Sequence, residues 1–153
     1  MNPDPHEPSH AYLKSVRITD VLRVEHILLR TMMAQVSDWL AASVPPETIR
    51  ERVALLNVAL ETHAQREEKR LFDTLRRRSD AALHLVDMMV VVHDEVRGLF
   101  EEIEAGAEPI ERLWTILDLT ETHFRREDKE VFPLAEELIE PEILIQLGTV
   151  GSV

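Results

Sequence analysis

A twelve-residue segment that occurs twice constrains this chain more than any other feature. The first copy reads Glu61-Thr62-His63-Ala64-Gln65-Arg66-Glu67-Glu68-Lys69-Arg70-Leu71-Phe72. The second reads Glu121-Thr122-His123-Phe124-Arg125-Arg126-Glu127-Asp128-Lys129-Glu130-Val131-Phe132. Seven of the twelve positions are identical, and two more, Glu68/Asp128 and Leu71/Val131, swap like for like. Each copy carries His-x-x-x-Glu. On a helix, positions i and i+4 share one face. An imidazole and a carboxylate on that face suit a first-row transition metal. A duplicated copy offers a second set of ligands, and so a two-metal site.

The flanking pattern predicts helices. Leu22, His26, Leu29, Met33, Val36 and Leu40 follow alternating four- and three-residue steps, the stripe of a bundle helix that Thr19 or Asp20 can cap. Pro45-Pro46 breaks the chain and starts a second helix, with the stripe Ile49, Val53, Leu56, Leu60, His63, Glu67, Leu71 and Leu75. Ser79 can cap a third, whose stripe is Val86, Met89 or Val90, His93, Val96, Phe100 and Ile103, with Gly106 ending it. Pro109 opens a fourth through Leu113, Ile116, Thr120, His123, Glu127, Val131 and Leu134. Pro133 should kink that helix and Pro141 end it. No period-two alternation competes. Four amphipathic helices with short connections predict an all-α, up-down-up-down antiparallel four-helix bundle. Residues 1–18 read as a flexible tail, 19–140 as the bundle, and 141–153 as a short apolar C-terminal segment.

The inward stripes are apolar except in the middle, where they carry His26, His63, Glu67, His93, His123 and Glu127. Burying one unpartnered polar group costs roughly 2–7 kcal/mol. Six at one level of one core must satisfy one another, and a metal does that most simply. His26-x-x-x-Arg30 is answered by His93-x-x-x-Arg97. The chain therefore reads as a duplicated helix pair around a pseudo-two-fold axis. His26 and His63 would serve one metal, His93 and His123 the other, with Glu67 and Glu127 bridging. His84 falls on the opposite face from His93, and it reads as solvent-facing, as do His6, His10, Glu68 and Asp128.

Composition narrows the rest. The 153 residues fit one domain, and 29 acidic against 17 basic residues give a formal net charge of -12. That field repels phosphate and argues against nucleic acid or an anionic membrane as partner. With no Cys, a metal must be held by His, Asp and Glu. No apolar signal core or bilayer-length stretch stands out, so the expected location is cytoplasmic.

The order His, His-x-x-x-Glu, His, His-x-x-x-Glu resembles the hemerythrin-like, or HHE cation-binding, domains. Val24-Glu25-His26, His63-x-x-x-Glu67-Glu68 with Phe72, Val92-His93-Asp94, and His123-x-x-x-Glu127-Asp128 with Phe132-Pro133 carry it across roughly residues 19–140. The resemblance implies a four-helix bundle holding two iron ions, bridged by carboxylates and an oxo or hydroxo group. Oxygen carriers of the family have His-x-x-x-His in helix three, and Met89 stands at that earlier position here. They also have a helix-four carboxylate five residues after the His, where Asp128 stands. Glu127, at four, matches the internal repeat and is preferred, with Asp128 as the competing ligand.

Two His and two shared carboxylates leave about two positions open on each octahedral iron. That count favours reaction with O2, hydrogen peroxide or nitric oxide, in stress response or iron homeostasis, over oxygen transport. An iron or redox sensor module and a metal-free helical interaction module are the alternatives. Geometry alone excludes neither Zn nor Mn, and the oligomeric state is not legible.

Overall fold

Pro46, Pro109 and Pro141 each open a helix, and Gly106 follows the end of another. The computed structural model describes residues 16–149, and among these there is no strand. Helix α1 spans Ile18–Ala41. Helix α2 starts at Pro46, runs α-helically over Pro46–Arg66, passes through a π-helical stretch at Glu67–Phe72, and closes with Asp73–Leu75. Helix α3 spans Asp80–Glu104. Helix α4 repeats the plan of α2: Pro109–Arg126, a π-helical stretch at Glu127–Val131, then Phe132–Leu138. A fifth helix, α5, covers Pro141–Gly148.

Ser79 caps α3, its hydroxyl accepting from the Ala82 amide at 3.1 Å. Gly106 follows α3 with φ at 100°, a conformation that side chains resist. Helix α1 starts earlier than its polar residues suggested. Arg17 precedes it, and Asp20, already inside, reaches back to the Arg17 amide at 3.3 Å. Pro141 follows α4 and begins the C-terminal segment. It opens α5, which packs on α1 and buries Leu144. The expected tail, with His6 and His10, lies outside the described residues apart from its last three positions.

Two apolar clusters fill the interior. One joins Leu29, Met33, Val36 and Leu40 of α1 to Ile49, Val53, Leu56 and Leu60 of α2, Phe100 and Ile103 of α3, and Leu113 and Ile116 of α4. The other joins Ile18 and Leu22 of α1 to Leu71, Phe72 and Leu75 of α2, Val86 and Met89 of α3, and Val131, Phe132 and Ala135 of α4. Each long helix thus passes from one cluster to the other, and successive helices do so in opposite order. The six polar residues interrupt the stripes between the clusters.

The π turns are the main departure from the expected periodicity. A π turn inserts one extra residue and advances the inward face. After it, α4 buries Phe132 and Ala135, while Leu134 is only half-buried. Pro133 does not cause the turn, because α2 makes the same one with Asp73 at the matching place.

Candidate metal centre

All six residues on the inward stripes converge. His26, His63, His93 and His123 are at most 7% exposed, and Glu67 and Glu127 are fully buried. They form two groups that share both carboxylates: His26, His63, Glu67 and Glu127, and Glu67, His93, His123 and Glu127. Within each group the imidazoles meet through the same nitrogen. His26 Nε2 lies 3.1 Å from His63 Nε2, and His93 Nε2 lies 2.9 Å from His123 Nε2. Glu67 reaches His63 Nε2 at 2.9 Å and His93 Nε2 at 3.2 Å, so it touches both pairs. Glu127 reaches His26 Nε2 at 3.0 Å and lies against His123 Nε2.

The other face of each ring explains which nitrogen points inward. His26 Nδ1 faces Asp128 at 2.9 Å, His63 Nδ1 faces Glu25 at 3.1 Å, and His93 Nδ1 faces Glu68 at 2.7 Å. A carboxylate accepts the Nδ1 proton and leaves the Nε2 lone pair free. Each carboxylate is itself held by an arginine. Arg30 donates to Asp128 at 3.2 Å and to Glu121 at 3.0 Å. Arg97 donates to Glu68 at 3.0 Å and to Glu61 at 2.8 Å. Arg66 pairs with Glu25. Aromatic rings fix the imidazole planes: Phe124 stacks on His26 at 4.0 Å between centroids, and Phe72 on His93 at 5.9 Å.

Glu68 and Asp128 therefore do not simply face solvent, as the helical wheel suggested. Their side chains are 25% and 30% exposed, and each has a histidine ring to hold. The structure separates Asp128, on the Nδ1 side of His26, from Glu127, on the Nε2 side. His84 is exposed, as expected. Glu25 gave no sign of its role beyond standing next to His26. The His-x-x-x-Arg repeat was the available signal for Glu68 and Asp128, since an arginine one turn after each His must find an acid.

Does this donor set suit a cation? With Nδ1–H donated outward, His26 and His63 present two lone pairs to each other and to carboxylate oxygens. All four oxygens of Glu67 and Glu127 are buried with no hydrogen bond from the protein. Four nitrogen and four oxygen acceptors turned on one spot need positive charge, from protons or metal. Protein groups alone resolve it unevenly. Burial would raise Glu67, but His63, His26 and His93 outweigh it and hold it well below the usual carboxylate range. Burial and the charge of Glu67 push Glu127 well above that range. Burial would lower His63, but Glu67 and Glu25 raise it to about 9. Burial takes His123 down to about 3. The residues fit a metal site.

A cavity of about 40 Å³ lies beside the centre, walled by Leu60, Val92, Val96, Phe100 and Phe124 and by Thr120, and it touches His63, His93 and His123. Its size admits a water or a small molecule of about two heavy atoms. No helix among the described residues is long and apolar enough to cross a membrane.

Comparison with known families matches the chain to the hemerythrin HHE cation-binding domain over residues 17–135. No curated protein and no solved structure matches the chain.

Proposed function

The chain belongs to the hemerythrin HHE cation-binding domain family, and from that premise we propose that it is a non-haem di-iron protein that binds or reduces O2, hydrogen peroxide or nitric oxide. His26 and His63 hold one ion, His93 and His123 the other, and Glu67 and Glu127 bridge them. Bound iron would supply reversible redox change and open positions for a small ligand. The protein's own work is to keep four Nε2 lone pairs aimed inward, to neutralise the pair with two carboxylates, and to keep bulk water out. The observation that carries this reading is the pair of buried carboxylates packed against four inward-facing Nε2 atoms, their oxygens given no well-formed hydrogen bond by the protein.

Several features support the finer points. The opposite order in which successive helices cross the two apolar clusters supports an up-down-up-down antiparallel bundle over residues 19–140. The residues 1–18 precede it and 141–153 follow it. Met89 is buried one turn before His93 and brings no fifth imidazole. Four histidines leave more open positions than a carrier needs, which favours reactive chemistry over transport. The cavity size suits O2, peroxide or nitric oxide.

The test is anaerobic loading with Fe(II), followed by elemental analysis and stopped-flow mixing with each small molecule. We expect two irons per chain and rapid oxidation. One iron or none overturns the di-metal reading. A long-lived, reversible oxygen-dependent spectrum overturns reactivity in favour of transport. An iron sensor is the second reading, favoured by the same buried carboxylates, since losing the cations would strain the core. It predicts large chelator-induced unfolding with negligible turnover of peroxide or nitric oxide.

A further inference from the structure

The two halves of the centre are related by the repeat, but they are not equal. Three of the four histidines hydrogen-bond through Nδ1 to a carboxylate: His26 to Asp128, His63 to Glu25, and His93 to Glu68. The fourth, His123, has a buried Nδ1 with no partner. The reason is one residue. Glu25 stands immediately before His26 and holds His63. The residue immediately before His93 is Val92, which has no acceptor to offer His123. The arginines follow suit. Arg66 pairs with Glu25, while its counterpart Arg126 turns to Glu130 on its own helix at 2.9 Å.

An imidazole whose Nδ1 proton is held by a carboxylate is a stronger, better oriented ligand through Nε2. The His26/His63 end has two such rings, and the His93/His123 end has one. The cavity lies towards the weaker end: it touches both His93 and His123, but only His63 of the other pair. Val92 forms part of its wall, and so does Thr120, whose buried hydroxyl has no partner. The missing carboxylate and the cavity thus coincide.

Resting on the di-metal reading above, we propose that the His93/His123 end is the labile end of the centre, which exchanges its cation first, and that Val92 in the place of Glu25 sets this lability. Glu25 is then a positioning residue, acting on one metal through His63, and Val92 marks the absence of its equivalent.

Chelator challenge tests it. Protein carrying two Fe(II) per chain is mixed anaerobically with excess bidentate Fe(II) chelator, and release is followed by absorbance. We expect two phases of one iron each, separated by about 10–100-fold in rate, the usual scale for losing such a supporting carboxylate. Val92→Glu should slow the fast phase towards the slow one and leave the slow one unchanged. Val92→Gln, which offers an amide oxygen without a buried charge, should slow the same phase if Val92→Glu does not fold. Glu25→Val should speed the slow phase until the two merge. Release of both irons from the unmodified protein in one phase overturns the proposal, as does a fast phase that neither Val92 variant slows. Failure to retain two irons before the chelator is added overturns the di-metal reading itself.

Discussion

Asp128 accepts from Nδ1 of His26 at 2.9 Å, while Glu127, its neighbour in sequence, approaches Nε2 of the same ring at 3.0 Å. Two consecutive acids on one helix thus grip one imidazole from its two ends. This is possible because the π turn begins at Glu127 and the ring lies between the two side chains. Their roles should separate cleanly. Glu127→Ala removes a charge shared by both metal positions, and iron content should fall below one per chain. Asp128→Ala should keep two irons at saturating Fe(II), with about 10–100-fold weaker retention. Elemental analysis after desalting checks both, and the reverse pattern would make Asp128 the ligand.

Removing metal should loosen the protein. Without metal, the buried oxygens of Glu67 and Glu127 have only the crowded imidazoles to face, with no well-formed hydrogen bond. Metal at a thousand times its dissociation constant stabilises by about 4 kcal/mol. At about 2–4 °C per kcal/mol for a chain of this size, Tm should drop by roughly 8–16 °C on chelation. Calorimetry of apo and metal-bound protein measures it, and equal Tm values would contradict the reading.

The two glycines Gly148 and Gly98 should respond oppositely to alanine. A methyl group on Gly148 would meet Val16 O at 2.5 Å and the Arg17 and Ile18 backbone at 2.8 Å, so α5 would have to lift from the start of α1. Gly148→Ala should cost about 1–3 kcal/mol, in the range of overpacked sites. Gly98 lies within α3 with nothing inside 4 Å of the added carbon. Gly98→Ala should stabilise by up to about 1 kcal/mol through helix propensity. Urea unfolding of both variants decides.

Acid should weaken the junction between α1 and the end of α4. Hydrogen bonds from Arg17 hold Asp20 below its ordinary range. Burial would raise Glu136, but Arg23 outweighs it and holds it low. A carboxylate whose folded value is depressed contributes fully above its unfolded value, here 3.8 and 4.5, and loses that contribution as pH falls through the folded one. These side chains are partly exposed, so the gain is small, within about 0.2–1 kcal/mol. Glu136→Gln should therefore destabilise the protein at pH 7, and the difference should shrink as pH falls through the lowered folded value. A pH-independent difference would assign the effect to packing.

The sequence by itself determined which face of each helix turns inward and which residues interrupt it. The stripes through His26, His63, Glu67, His93, His123 and Glu127 were legible because helical period is a property of one segment at a time. The duplication also related the two helix pairs, since a repeat in sequence carries a repeat in space. Only the tertiary structure decided what lies behind each ring. Glu25 reaches His63 on α2, Glu68 reaches His93 on α3, and Asp128 reaches His26 on α1. Such pairings depend on how helices pack, and a wheel drawn on one helix places the same acids at the solvent edge. The π turns were hidden for a related reason. A π turn has no composition of its own, and it moved burial from Leu134 to Phe132 and Ala135 through an extra residue in the turn. The partnerless Nδ1 of His123 follows from both levels: Val92 is written in the chain, but its consequence exists only where α3 meets α4.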